Sequence, residues 1–115
     1  MTPEQKSALK DFAEVVSEHY GSELEGIYVF GSRARSDHRE DSDVDVAIVL
    51  RGTGWSFWDE MLRLVDLSYD ALIETSLDIQ PWPIAESHWR QPSLHQNPNL
   101  VEAAKRDARP ISQAA

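Results

Sequence analysis

Asp43 and Asp45 stand one residue apart at the mouth of an apolar run, VDVAIVL, and a third acid, Asp78, lies in a second alternating stretch, TSLDIQPW (75–82). Burying a carboxylate is costly unless something cationic meets it. On a strand, positions two apart leave the same face, separated by about 7 Å at a rise of ~3.3 Å per residue. From there two carboxylates can converge on divalent ions roughly 3.5 to 4 Å apart. Asp78 joins them if its strand neighbours theirs. An all-oxygen donor set suits magnesium, which needs few carboxylates and completes its octahedron with water and substrate phosphate. The expected metal ligands and catalytic residues are therefore Asp43, Asp45 and Asp78, holding two magnesium ions.

Upstream, Gly31-Ser32 closes an apolar stretch and opens a turn. A glycine there lets backbone come close to a phosphate, and the following N–H groups with a serine hydroxyl can hold its oxygens. Phosphate grip and metal grip thus fall on consecutive strand ends, a layout that one nucleoside triphosphate can span. Arg33 and Arg35 follow directly; either they stabilise the leaving phosphates, or they pair with Asp37, Glu40 and Asp41 as surface ion pairs of small energetic weight. Gly31, Ser32, Arg33 and Arg35 are the expected nucleotide-binding residues.

These residues need rigid elements to hold them. Thr2-Pro3-Glu4-Gln5 supplies an N-cap, a proline at the first helical position and a capping-box partner. Leu9, Phe12, Val16 and Tyr20 then recur at helical spacing until Gly21, which predicts a first helix. LEGIYVF (24–30) predicts a first strand and VDVAIVL (44–50) a second. Arg51 to Gly54 is a turn, and Ser56 with Asp59 opens a second helix whose apolar positions Phe57, Met61, Leu62, Val65, Tyr69 and Leu72 share one face, the expected core face. Residues 75–82 form a third strand ended by Pro81. From Pro81 to Pro98 the chain reads as loop with one short helix near residues 85–91; a last helix starts at Asn97-Pro98, and Pro110-Ile111 adds a short edge strand. The order implies a small mixed sheet with helices packed on it, an α/β (α+β) fold.

The totals bound the function. A chain of 115 residues is expected to make one domain spanning 1–115. A formal net charge of -9 argues against a broad phosphate-tracking surface for DNA or RNA, so any anionic substrate must be met locally. Three of the 11 Lys and Arg residues, Arg33, Arg35 and Arg39, fall in the same short stretch as the turn. With no cysteine, disulfides, thiolate metal sites and cysteine nucleophiles are excluded together, consistent with a reducing cytoplasm. The N-terminal MTPEQKSALKDF has no apolar signal region, and no membrane association is expected. His19, His38, His88 and His95 lack mutual metal-ligand spacing. Trp55, Trp58, Trp82 and Trp89 read as core or rim.

Taken together, GSRARSDHREDSDVDVAIVL (31–50) resembles the signature of the polymerase-β-like nucleotidyltransferase superfamily, and the chain length resembles its minimal nucleotidyltransferase (MNT) proteins, the antitoxin partners of HEPN toxins. The resemblance implies a polymerase-β-like core in which Gly31 and Ser32 bind the triphosphate of ATP, Asp43 and Asp45 bind both magnesium ions, and Asp78 completes the site near the attacking hydroxyl. It further implies an antitoxin that transfers AMP from ATP onto a tyrosine hydroxyl of a HEPN toxin encoded nearby. Two alternatives stand beside it. One is a small-molecule nucleotidyltransferase of the aminoglycoside-modifying kind, whose relatives generally carry an added helical domain to build the acceptor pocket. The other is a non-catalytic antitoxin that neutralises its toxin by binding, for which a cluster of mutually repelling carboxylates has no physical use.

Overall fold

The structure is a computed structural model that describes residues 1–31 and 43–111. Ser32, Arg33 and Arg35 lie outside the described residues. Helix α1 (Pro3–Tyr20) begins with the expected capping box: the Gln5 amide donates to Thr2 Oγ1 at 3.0 Å, and the Thr2 amide donates to Gln5 Oε1 at 3.1 Å. A short 3-10 turn, Gly21–Glu23, leads into β1 (Leu24–Phe30). Strand β2 (Val44–Leu50) pairs antiparallel with β1, and helix α2 (Phe57–Thr75) returns the chain so that β3 (Ile79–Ala85) can lie parallel to β2. Helices α3 (Glu86–Arg90) and α4 (Pro98–Asp107) follow, and β4 (Arg109–Pro110) joins the far side of β1. The sheet order is β3-β2-β1-β4, a mixed four-stranded sheet with helices on it, as the sequence implied.

Alternation along β2 divides the molecule into two layers. Val44, Val46, Ile48 and Leu50 face the larger core, where they meet Leu9, Phe12, Val16 and Tyr20 of α1 and Leu64 and Ala71 of α2. Ala47 faces the other way, into a smaller cluster with Phe30, Ile84 and Ala104, against which Tyr28, Trp82, Trp89 and Leu100 pack. Asp45 shares the parity of Ala47, so its carboxylate emerges on the side of the smaller cluster.

Two expectations are corrected. Strand β3 does not stop at Pro81; it runs through Pro81 and Pro83 to Ala85. The strand is at the edge of the sheet, and alternate residues direct their N–H groups to the same side. Gln80, Trp82 and Ile84 serve the ladder with β2, while both prolines fall at positions whose N–H would point outward, so neither removes a bond. The second correction concerns α2. Its buried positions are Glu60, Leu64, Ser68 and Ala71, not the stripe expected to face the core: Phe57, Leu62, Val65, Tyr69 and Leu72 are 38–66% exposed.

The buried Glu60 has a specific reason to be there. Tyr20 Oη donates to Glu60 Oε1 at 2.8 Å, and Arg63 Nη1 donates to the same oxygen at 3.2 Å from the solvent side. This joins the last turn of α1 to the first turns of α2. Burial, followed by the hydrogen bond and charge of Glu60, pushes the Tyr20 phenol far above its usual value. The Tyr20→Phe variant is expected to lose about 1–2 kcal/mol in chemical denaturation, because the buried carboxylate then loses the shorter of the two hydrogen bonds to its Oε1. A group whose folded pKa is raised stabilises fully below its unfolded value and loses that contribution as pH rises through the folded one. The gap between wild type and variant should therefore hold at neutral pH and close only under strongly alkaline conditions, above about pH 10.

Candidate active site

Asp43 is the residue before β2, Asp45 the second residue within it, and Asp78 the residue before β3. Because β2 and β3 run parallel in the register Val44↔Ile79, Asp43 and Asp78 occupy equivalent positions at the same end of neighbouring strands. A backbone bond from Val44 N to Asp78 O, at 2.9 Å, fixes that alignment. The two side chains meet: burial first, then the charge of Asp43 and a hydrogen bond with it, hold the Asp78 carboxyl above the usual carboxylate range. Asp43 and Asp78 are exposed and Asp45 is half-buried.

Asp45 is positioned from two sides. Trp82 Nε1 donates to its Oδ1 at 3.2 Å. Burial raises its pKa, the Trp82 hydrogen bond opposes that rise, and the charge of Asp43 adds to it. On its other flank lies Gly31, in the left-handed region at φ 76°, where a Cβ would meet Asp45 Oδ2 at 2.8 Å. The close approach explains the glycine: the turn after β1 begins with its backbone against the carboxylate. Asp45 also lies directly across the ladder from Phe30, the residue before that glycine. Of the expected site residues, then, the structure brings Asp43, Asp45, Asp78 and Gly31 to one end of the sheet. Among the described residues no three acidic or imidazole side chains stand as a closed metal cage. The arrangement is an Asp43–Asp78 pair with Asp45 beside it.

Trp82 is the site residue that sequence reasoning assigned elsewhere. Its signal was the alternation Asp78, Gln80, Trp82, which places the indole on the acidic face of β3 once the strand is allowed to continue past Pro81. The same indole lines an open cleft of about 640 Å³ whose walls include Trp55, Phe57, Trp58, His88 and His95. His88 and His95 pack edge to face at 5.4 Å, and the Asn97 amide donates to His95 Nδ1 at 2.9 Å. Burial and the neighbouring His88 lower the His95 pKa.

The Trp82→Phe variant tests the link between indole and carboxylate. Loss of the N–H donor removes the interaction that favours the ionised form of Asp45, so its pKa moves further up. Activity is expected to fall about tenfold near neutral pH, with the acidic limb of the pH–rate profile displaced to higher pH. An unmoved limb shows that the bond has no part in setting the charge of Asp45.

Residues 10–106 match the family described as Polymerase beta, Nucleotidyltransferase. A Methanocaldococcus jannaschii protein that carries the provisional name protein adenylyltransferase is 38% identical over 93 residues, covering 81% of this chain and 89% of that protein. Among solved structures, a Sulfolobus solfataricus protein provisionally named a nucleotidyltransferase superimposes with a TM-score of 0.64 at 20% identity, covering 96% of this chain and 81% of that one. A toxin–antitoxin complex with AMP-PNP superimposes at 0.56 with 13% identity, over 95% of this chain and 73% of the other. A mutant of the toxin–antitoxin MntA-HpeT gives 0.55 at 14% identity, with the same coverage. At these identities the structural likeness speaks for the fold.

Proposed function

This chain belongs to the polymerase β nucleotidyltransferase family, and from that premise we propose that it is an antitoxin that transfers AMP from ATP to a tyrosine hydroxyl of a partner HEPN toxin. Nucleotidyl transfer is the activity of the family. The finer reading, with its protein acceptor and toxin partner, is supported by the name of the archaeal relative and by the toxin–antitoxin complexes among the structural neighbours.

The observation that carries the proposal is the Asp43–Asp78 pair with Asp45 and Gly31 beside it at one end of the sheet. Carboxylates packed this closely repel one another, and the donor set is all hard oxygen, which fits magnesium and not a soft metal. In this reading Asp43, Asp45 and Asp78 would hold two magnesium ions, whose chemistry is neutralisation of phosphate charge and acidification of the attacking hydroxyl. Gly31 admits the polyphosphate to the backbone, and Ser32, Arg33 and Arg35 contribute to its grip. Trp82 keeps Asp45 oriented. In this reading Asp78, which precedes the edge strand, receives the proton of the tyrosine hydroxyl as its oxygen attacks the α-phosphorus and pyrophosphate leaves in line. No helix among the described residues is long and apolar enough to cross a membrane; the proposal places the protein in the cytoplasm, where ATP and the toxin meet.

The test is to incubate the chain with a HEPN toxin encoded beside it, ATP and magnesium, and to weigh the toxin by intact-mass spectrometry. One or more AMP additions, mapped to tyrosine, are expected. An unmodified toxin that is nevertheless neutralised identifies a binder, and no effect on the toxin removes the antitoxin reading altogether.

A further inference from the structure

Helix α2 carries more apolar surface than its own core uses. Over the 19 residues Phe57–Thr75 the buried positions form one narrow arc. Next to it runs a second apolar arc that faces solvent: Trp58 is 70% exposed, Leu62 66%, Val65 45%, Tyr69 56%, Leu72 40% and Ile73 63%. At 100° per residue these six lie on one continuous stripe, about 24 Å long at ~1.5 Å per residue. The far side of the stripe is bordered by the exposed residues Asp59, Asp66, Asp70 and Glu74, with Arg63 the one cation in that row and already bonded to Glu60. These six residues expose roughly 700 Å² in all, close to the share one partner contributes to an interface of ordinary size.

A second copy of the chain fits this surface poorly. An antiparallel pair of α2 helices related by a twofold axis sets acidic row against acidic row on the same side. A parallel pair presses each row against the other helix's apolar edge. Both arrangements leave carboxylates without counter-charge. The complementary surface is instead an apolar stripe flanked by lysine or arginine.

We propose that the solvent-facing stripe of α2 is the docking surface for a different protein, which presents to it an amphipathic helix with a basic border. Trp58, at the N-terminal end of the stripe, also lines the cleft walled by Trp82, the indole that donates to Asp45. A partner seated on α2 therefore has a neighbouring segment within reach of that indole. The inference names how the partner in the proposed function is held, but it does not depend on the transfer chemistry.

The probe is a fluorescent Leu/Lys helical peptide of about 18 residues, long enough to cover the stripe. It is compared with a scrambled peptide of the same composition and with a Leu/Glu helix of the same pattern. The Leu/Lys helix is expected to bind at least about tenfold more tightly than either control, and to lose at least about tenfold in the Leu62→Glu/Ile73→Glu variant, as hot-spot truncation does. Simple adhesion of a cationic peptide to an anionic protein has the opposite sign, because that variant is two charges more negative and binds at least as well; that outcome overturns the proposal. So does equal binding of all three peptides. Sedimentation of the wild type as a dimer, with the variant a monomer, assigns the stripe to a second copy and overturns it as well. A neutral variant, Leu62→Gln/Tyr69→Gln, changes only exposed positions and should lose the Leu/Lys helix too, with its melting temperature unchanged. In contrast, Asp43→Ala leaves peptide binding intact, so failure of docking and failure of catalysis are read separately.

Discussion

Replacing Asp45 by asparagine is expected to abolish AMP transfer in practice, with kcat falling about a thousandfold or more, while the protein stays folded. Asparagine keeps the shape of the side chain, and its carbonyl oxygen still accepts from Trp82 Nε1, so the packing around β2 is preserved. What disappears is the negative charge at the half-buried centre of the site. In the proposed function that charge holds divalent ions that offset several kcal/mol of developing phosphate charge, and about three decades in rate correspond to ~4 kcal/mol. Because the burial that raises the Asp45 pKa penalises its charged form, the variant should melt at the same temperature as wild type or above it. Transfer by the variant within about tenfold of wild type, measured as the rate of AMP addition with the partner toxin in excess, shows that Asp45 is not part of the chemistry.

Gly31→Ala is expected to damage both stability and rate, for one geometric reason. The residue sits at φ 76°, where an L side chain costs about 1–2 kcal/mol, and the new methyl meets Asp45 Oδ2 at 2.8 Å. Either the turn opens or the carboxylate moves. Melting is expected to fall by about 5–10 °C for a chain of this size. A displacement of a catalytic group by about an ångström can cost on the order of a hundredfold, so transfer should drop by that amount. Both effects act through the same carboxylate. In the double variant with Asp45→Asn the further loss of rate should therefore be much smaller than the single-variant value. Full additivity separates the glycine from the site.

Where local chemistry and tertiary context agreed, the sequence was legible. The box of Thr2 and Gln5 forms as read, the apolar runs make β1 and β2, and Asp43 at the entrance to β2 meets Asp78 before β3, because parallel pairing brings equivalent strand ends together. The misreadings have physical causes. Pro81 reads as a strand end, since a proline removes a ladder donor; on an edge strand with the right parity it removes none. The core face of α2 was placed on its most apolar side. The fold buries the arc that holds Glu60 and Ser68, because Tyr20 satisfies one and the Val65 carbonyl accepts from the other. A helix with apolar residues around most of its circumference does not announce which part faces inward. Trp82 escaped assignment for the first of these reasons: once β3 was cut short, its indole no longer shared a face with Asp78.

The two prolines of β3 have a consequence beyond pairing. Both residues are less than 2% exposed, so the fold covers the outer margin of the strand at these positions. A buried amide N–H without a partner costs about 1–3 kcal/mol, and along an outer strand the donors at risk are those that point away from the ladder. Pro81 and Pro83 remove two successive donors of that row. The residues that hid the strand from a reading of the sequence thus let the protein close over its margin without orphaned amides.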